Sequence, residues 1–599
     1  MPLALDQALA RFSPPLLALF VVAGCAALGS PQAPGSEAVP GPETAPAETA
    51  PAQAVTPPDS ALAPASAPRS RTPVEESLVY RLLVAEMAGR RGQLDVSATH
   101  YLAVARETRD PEVVERAVRI AAAAEDDAAT LEAARLWVEV APDSHEAHRV
   151  LAGIYLRARR VDEAVTEIRA LFANLKTTPA QTYSLLVEML SRERDQDLAL
   201  AAMERFVAGQ EADPLAQSAL ASLAARGGKL DRAATILQQV LQSHPDDPGA
   251  VLLYAQVLQT QGKAREGIDL LAGALARRPG EAALRVAHGR LLVADKRYED
   301  AIAEFQRVVD AHPDNGEARH ALALLYLQTE KLDEAERHLR SLSVRGSRQN
   351  TARFYLGHVA EARGRIDEAI SWYGQVEQGE HLVDAQVRLG VLLARQGRLD
   401  EARQRLQSVE TSNGKDRVRL ILVEGELLVD AGRLQDALTL HDLALQEFPD
   451  DADLLYARAM VAERLDRLDL LEADLRAILS RDPNHVQALN ALGFTLADRT
   501  DRYQEAHDLI VRALAQRPDD YYIQDSMGWV LFRLGRLPEA LEYLRRAAAQ
   551  SDDVEVAAHL GEVLWATGDQ AGARQVWDAV LKREPGNKRI TELMRRLAP

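Results

Sequence analysis

Few residues in this chain have the types and spacing that chemistry requires. His145-Glu146-Ala147-His148 has the composition of a zinc-binding helix motif, but its histidines are three residues apart where a metal-binding pair needs four. Asp246-Asp247 and Asp519-Asp520 are paired carboxylates that follow a proline, where capping of the next helix explains them. The sequence has no glycine-rich phosphate loop and no GxSxG nucleophile elbow. We therefore expect no catalytic residue, metal, cofactor or small-molecule substrate, and predict that the protein is not an enzyme.

Composition indicates the structural class. At 599 residues the chain is too long for one hydrophobic core. Hydrophobic residues make up 47% but aromatic residues only 5%, so the apolar content is mainly Ala, Leu and Val, which is typical of closely packed helices. The formal net charge of −19 has the opposite sign to that needed for binding a phosphate backbone. We predict an all-α repeat array and no nucleic-acid partner.

The single cysteine, Cys25, has no partner for a disulfide or a multi-cysteine metal site. It follows an apolar run, Pro14 to Ala23, which at about ten residues is too short to cross a bilayer core of ~30 Å but suits a signal peptide. Val22-Ala23-Gly24-Cys25 resembles the bacterial lipobox, which implies cleavage before Cys25 and lipidation of its thiol. The alternative is a buried free cysteine in a helix. Residue 26 is not Asp, which in enteric-type sorting implies release to the outer membrane, with the protein on its periplasmic face.

The next segment differs sharply in composition from the rest of the chain. Residues 26–73 contain 11 prolines and no aromatic residue. Such a segment cannot bury enough apolar surface to offset the entropy lost on ordering, and at ~3 Å per residue its extended form would reach on the order of 140 Å. We predict a signal peptide over 1–24, a lipidated cysteine with a disordered tether over 25–73, and a folded body over 74–599.

One pattern recurs through the folded body. An apolar residue, an acidic residue, a polar residue and then a small residue, usually Ala, occur together, as in Val161-Asp162-Glu163-Ala164. The small position returns about every 34 residues from Ser97 to Ala573, with a weak member at Leu131. This spacing predicts about 15 repeats, and its period is typical of tetratricopeptide arrays.

Two further positions recur with the same period. Twelve residues before the alanine there is a small residue, often glycine, as at Gly357, Gly528 and Gly561. Because glycine costs a helix ~1 kcal/mol relative to alanine, its return indicates a close helix–helix contact. Proline follows about twelve residues after the alanine, as at Pro313 and Pro518, and ends each unit. The three positions together resemble the tetratricopeptide-repeat family, which implies a right-handed superhelical solenoid of helix-turn-helix units, here with a C-terminal capping helix.

In such an array the first helix of each repeat lines the inner face, and side chains on that face are candidates for binding other proteins. The alternative is that these aromatic residues form the core between stacked repeats. The candidates flank the recurring small residues and are Phe354, His358, Asn490, Phe494, Tyr522, Asp525, Trp529, Phe532, Glu562 and Trp565.

The block from Ala488 to Leu581 is more individual than the generic repeat. It contains ALNALGFTLADRTDRYQEAHDLI, DSMGWVLFRLGRLPEALEYLRRA and EVAAHLGEVLWATGDQAGAR. With the lipobox and the tether, this block resembles the proteobacterial outer-membrane lipoprotein that partners a carboxyl-terminal processing protease. The resemblance implies an adaptor that binds and activates a periplasmic protease and delivers substrates such as peptidoglycan hydrolases.

Two alternative functions remain. The first is a scaffold lipoprotein for envelope assembly or for polysaccharide or pilus export, which would have the same architecture. The second is a glycosyltransferase with a repeat arm, which is disfavoured because no residues are left for a catalytic domain.

Overall fold

The amphipathic segments between the turn residues form helices throughout the described part of the chain. The computed structural model describes residues 77–173, 175, 177–344 and 346–597. These residues form 31 α-helices and no β-strand, so the predicted all-α fold is confirmed. None of these helices is both long enough and apolar enough to cross a membrane. The predictions for the signal peptide, the tether and Cys25 fall outside the described residues.

The described residues divide between Thr329 and Glu330 into two compact units. The first unit contains fifteen helices, which are α1 (Leu78–Arg90), α2 (Leu94–Thr108), α3 (Pro111–Ala123), α4 (Asp127–Val140), α5 (His145–Arg157), α6 (Val161–Ala173), α7 (Pro179–Ser191), α8 (Gln196–Phe206), α9 (Pro214–Arg226), α10 (Leu230–Ser243), α11 (Pro248–Thr260), α12 (Ala264–Arg277), α13 (Ala282–Ala294), α14 (Tyr298–Ala311) and α15 (Gly316–Gln328).

The second unit contains the remaining sixteen helices. They are α16 (Leu332–Leu342), α17 (Gln349–Ala362), α18 (Ile366–Gly374), α19 (Leu382–Arg395), α20 (Leu399–Gln407), α21 (Gly414–Asp430), α22 (Leu434–Glu447), α23 (Ala452–Arg464), α24 (Leu468–Arg481), α25 (Val486–Arg499), α26 (Tyr503–Gln516), α27 (Tyr521–Arg533), α28 (Leu537–Gln550), α29 (Val554–Ala566), α30 (Gln570–Arg583) and α31 (Lys588–Leu597). Helices α1 to α14 of the first unit form seven successive pairs, and helices α17 to α30 of the second unit form another seven, as the predicted helix-turn-helix repeats require.

Turns inside a repeat and turns between repeats use different residues. Inside most repeats the middle residue of a three-residue turn is left-handed, as at Gly535 (φ 76°) and Lys296 (φ 63°). Between repeats, side chains cap the next helix: Asp247 accepts a hydrogen bond from the Ala250 N–H at 2.7 Å, and Asp520 accepts one from the Tyr522 N–H at 3.0 Å. The capping role predicted for these carboxylates is confirmed.

The recurring small residue of the sequence is the fourth residue of each second helix. It is fully buried at Ser97, Ala164 and Ala540, for example. The prediction of Leu131 for this position is wrong by one residue. Helix α4 begins at Asp127, so its fourth residue is Thr130, which is 6% exposed, whereas Leu131 is half-buried.

The recurring glycines lie where the first helix of a repeat meets a large side chain of the second. A Cβ placed on Gly357 would lie 2.5 Å from a ring carbon of Tyr373, and one on Gly493 would lie 2.7 Å from Ile510 Cδ1. Real Cβ atoms do not approach other atoms so closely, so these positions need glycine. The close helix contact predicted from the return of glycine is therefore present.

The last helix, α31, packs onto the second unit through Ile590 and Leu593, which are buried. Arg595 and Arg596 on the same helix are exposed. Its outer face is therefore polar, as the sequence led us to expect for a helix at the end of an array.

We predict that Gly528→Ala destabilises the second unit by up to about 2 kcal/mol. A Cβ at Gly528 would lie 2.5 Å from Leu544 Cγ and 3.2 Å from the Ala540 carbonyl oxygen, and overpacking of about 1–3 kcal/mol exceeds the ~1 kcal/mol gained in helix propensity. Gly273→Ala is the matched control. Its Cβ would meet only Arg277 Nη1, at 3.9 Å, so this change should stabilise by about 0.5–1 kcal/mol. Urea unfolding followed by circular dichroism measures both changes, and equal effects would contradict the close-contact role of Gly528.

Candidate protein-binding surface

Three first helices, α25, α27 and α29, bring side chains together across successive repeats. The Trp529 ring stacks on His559 with centroids 4.4 Å apart, and the Phe532 ring lies 5.3 Å from Trp529. Phe494 lies 5.8 Å from His559. We call Phe494, Trp529, Phe532 and His559 the aromatic cluster.

Carboxylates bind the polar edges of this cluster. His559 Nδ1 lies 2.9 Å from Asp525 Oδ2, and both side chains are buried. Trp529 Nε1 donates to Asp498 Oδ1 at 3.2 Å. Burial of the His559 ring opposes its protonation, but the Asp525 carboxylate outweighs this and raises the pKa of His559 above its ordinary value. Through His559 the aromatic cluster is therefore joined to a buried carboxylate of the preceding repeat.

The predicted residues of this region differ in their access to solvent. Asp525 and Trp529 are buried, while Phe494 and Phe532 are half-buried. Tyr522 is 54% exposed, and its ring lies 4.2 Å from that of Tyr521. These placements leave Tyr522, Phe494 and Phe532 available to a partner, whereas the two buried residues join repeats.

Asn490 lies on α25, in the same helix as Phe494. Its side chain is half-buried, and its Oδ1 atom has no hydrogen-bond partner among the described residues. A buried amide oxygen without a donor lowers the stability of the fold.

Glu562 and Trp565 connect α29 to the helices that follow it. Glu562 accepts a hydrogen bond from Arg596 at 2.6 Å, and the Trp565 ring lies 5.9 Å from that of Trp577. Trp565 is half-buried, and the Arg574 guanidinium lies 5.8 Å from its ring centroid.

Phe354 and His358 lie in a different repeat of the second unit. The buried Phe354 ring stacks on His381 at 4.5 Å with an interplanar angle of 6°, and His358 lies 5.3 Å away. Burial lowers the pKa of the half-buried His358 to about 3, and Arg388 adds to this effect. This second aromatic group is neutral at ordinary pH and serves mainly to pack α17 against its neighbours.

Two carboxyl groups on neighbouring first helices form no salt bridge with another described residue. Glu426 on α21 and Glu463 on α23 are half-buried, and no Lys or Arg of the described chain lies within 4 Å of either. Burial raises the pKa of both groups; Asp430 adds to the effect at Glu426, whereas Arg499 opposes it at Glu463. Unpaired carboxyl groups of this kind favour positively charged groups on whatever binds nearby.

The histidines that resemble a zinc motif in the sequence have no metal-binding arrangement among the described residues. The His148 ring nitrogens lie 2.7 Å from Glu167 Oε2 and 2.9 Å from the Pro142 carbonyl oxygen, so His148 is a buried link between α5 and α6, while His145 is exposed. The described residues contain no group of three or more His, Cys, Asp or Glu side chains that could hold a metal ion.

Two histidines that complete the aromatic groups, His559 and His381, were not among the residues predicted from the sequence. His559 lies two residues before Gly561, a position that faces inward by the same rule that selected the other candidates. No comparable sequence pattern marks His381, which precedes the first turn of α19.

Family models described as tetratricopeptide repeat match most of the chain between residues 190 and 597. The matched segments are 190–248, 223–291, 292–347, 320–380, 384–413, 422–486, 493–555 and 531–597.

Two curated proteins show the extent of the similarity. The TPR repeat-containing protein PA4667 of Pseudomonas aeruginosa is 36% identical over 490 residues, which cover 81% of this chain and 82% of that protein. Cellulose synthase operon protein C of Pseudomonas fluorescens is 24% identical over 423 residues, which cover 65% of this chain but only 33% of that protein.

Among solved structures, the APC/C hetero-tetramer Cut9–Hcn1 has 16% identity and a TM-score of 0.26, with coverage of 82% of this chain and 97% of that one. A TM-score of this size does not bear on architecture or partners.

We predict that the His559–Asp525 pair stabilises the second unit below pH 6.5 and that this contribution is lost as the pH rises through the folded-state pKa. The sign follows because the pKa of His559 is raised by folding. Glu555 also raises the pKa of His559, whereas Arg589 lowers it. Arg589 Nε and Glu555 Oε2 lie 3.1 Å apart, so these two residues form a pair of their own.

Urea unfolding of the wild type and of His559→Gln, followed by tryptophan fluorescence at pH 6 and pH 9, tests this prediction. The wild type should lose more of its free energy of unfolding between the two pH values than the variant does. The same pH dependence in both proteins would contradict a charged pair.

Proposed function

Because the chain belongs to the tetratricopeptide-repeat family, we propose that it is a membrane-anchored protein-binding scaffold, and specifically the adaptor of a periplasmic carboxyl-terminal processing protease. In this role it binds and activates the protease and delivers substrates such as peptidoglycan hydrolases, without cleaving anything itself. Tetratricopeptide-repeat proteins in general bind other proteins. The adaptor role is the more specific part of this proposal.

The observation that carries the proposal is the set of accessible aromatic side chains on α25, α27 and α29. They are the exposed ring of Tyr522 and the half-buried rings of Phe494 and Phe532. Accessible aromatic side chains are the residues that most often dominate protein interfaces. These helices also lie within the block Ala488 to Leu581, which resembles the protease-adaptor lipoprotein.

A second candidate function is a scaffold for envelope assembly or for polysaccharide or pilus export. The similarity to cellulose synthase operon protein C favours it only weakly, because the identity is 24% and the chain spans a third of that protein. Both candidates need a protein-binding surface, so the identity of the partner separates them.

We further propose that Cys25 carries the lipid that holds the protein at the outer membrane. Cys25→Ser should convert a protein that pellets with membranes into an uncleaved, unlipidated precursor. Membrane fractionation and mass spectrometry of the N-terminal peptide test this. A wild-type protein that is fully soluble and carries no acyl mass would contradict the proposal.

The adaptor role predicts that protein lacking residues 1–73 still co-elutes with the cognate protease and that hydrolase degradation in a reconstituted assay needs both proteins. Tyr522→Ala should weaken protease binding by about 1–2 kcal/mol, because it removes an exposed aromatic ring from the proposed binding surface. Leu443→Ala is the matched control, since Leu443 is 59% exposed but lies on the second helix of its repeat.

Calorimetry measures the affinities and gel assays measure the degradation. Equal degradation with and without this protein, under conditions where the two bind, would eliminate activation. No binding at all would favour the envelope-assembly scaffold.

A further inference from the structure

A cavity of about 440 Å³ lies in the first unit between α5, α6 and α7. Its volume falls in the range of ordinary ligand pockets. One of its wall residues, Leu185, is 43% exposed. The wall is mainly apolar and includes Val150, Leu156, Leu171, Phe172, Leu185 and Met189.

The cavity is open because of Gly153. A Cβ placed there would meet only Arg157 Nη1 at 3.5 Å and Glu193 Oε1 at 3.8 Å, which are the ends of flexible side chains. Gly153 is therefore not required for helix packing, unlike Gly528. Its missing side chain leaves space where a larger residue would fill the cavity.

Three arginines line this cavity, and one of them forms no salt bridge with a described residue. Arg149 is paired with Glu146, and Arg192 is paired with Glu188 at 2.6 Å. Arg157 forms no salt bridge within 4 Å among the described residues, although the Glu193 carboxylate lines the same cavity and both side chains lie within 4 Å of a Cβ placed on Gly153. A guanidinium without a salt bridge beside an apolar cavity favours an occupant that carries a carboxylate next to an apolar group.

A polar cleft of about 910 Å³ adjoins the cavity and shares Leu156, Arg157, Arg192 and Glu193 with it. Charges of both signs line the cleft, including the Arg159–Asp195 pair at 3.5 Å. A cleft with such a lining suits the donors and acceptors of an extended polypeptide backbone, and it would be a poor site for an acyl chain.

We propose that this cavity and cleft bind an extended polypeptide segment in which an apolar residue is followed by an acidic one. The apolar side chain fills the cavity beneath Gly153, the carboxylate pairs with Arg157, and the rest of the segment lies in the polar cleft. This proposal rests on the protein-binding role proposed above and adds a second contact, in the first unit, with a defined chemical preference.

The test uses fluorescein-labelled ten-residue peptides with a central Phe-Glu in a Gly-Ser background, and fluorescence polarisation with the full-length protein. A Phe-Gln peptide should bind about fivefold more weakly, because an exposed ion pair contributes ~1 kcal/mol at most. An Ala-Glu peptide should bind about tenfold more weakly, because it leaves the cavity unfilled.

Two variants assign these differences to the site. Arg157→Gln should bind the Phe-Glu and Phe-Gln peptides equally, and Gly153→Leu should bind the Phe-Glu and Ala-Glu peptides equally. Gly273→Leu and Arg90→Gln are the matched controls, because both lie outside the cavity and the cleft and should bind like the wild type.

Failure of all three peptides to bind, or binding that Gly153→Leu leaves unchanged, overturns the proposal. Saturable binding of dodecanoate that Gly153→Leu abolishes, without any peptide binding, overturns it in favour of a lipid. The same variants in the protease co-elution assay keep the two proposals apart. Normal co-elution without peptide binding eliminates the cavity site and leaves the adaptor role intact.

Discussion

The close approach of the two helices in each repeat is the constraint on which the rest of the structure depends. At Gly528 the first helix has no room for a Cβ, because Leu544 and the Ala540 backbone occupy the space. The small residue on the opposite side, Ala540, is fully buried. Because the same pair of positions recurs every 34 residues, one local contact generates the whole series of helix pairs.

The same period decides which distant residues meet. Asp525 and His559 are 34 residues apart, so they occupy equivalent positions in successive repeats and form a buried pair. Phe494 and Trp529 are 35 residues apart, because one residue is inserted between them, and both still contact His559. Such an array places similar positions side by side over a long surface instead of gathering different groups in one deep crevice. Side chains placed in this way can contact a large partner at several points.

The sequence was sufficient to predict the features that depend on this period. The helix pairs, the glycine contacts and the caps at Asp247 and Asp520 all follow from local spacing and composition. The error at Leu131 has the same origin, because the helix start was placed one residue too late in a repeat that lacks the alanine.

Burial at the candidate site could not be predicted from the repeat period. Trp529 and Tyr522 are both inward candidates on one helix, but only the neighbouring repeat determines that Trp529 is covered and Tyr522 is not. His381 was missed because its partner, Phe354, lies on the preceding repeat at no fixed sequence offset.

Glycine illustrates why contacts and not residue types separate structural from functional positions. Gly528 and Gly153 both lie within first helices, and each carries the same cost in helix propensity. At Gly528 the cost is offset by tight packing of Leu544, so the residue is explained by the fold. At Gly153 nothing packs into the space, and the residue opens a cavity beside an arginine that forms no salt bridge with a described residue. A glycine inside a helix lowers the stability of that helix even where packing does not require it. Its presence at residue 153 is therefore not explained by packing. Binding of an external side chain supplies one.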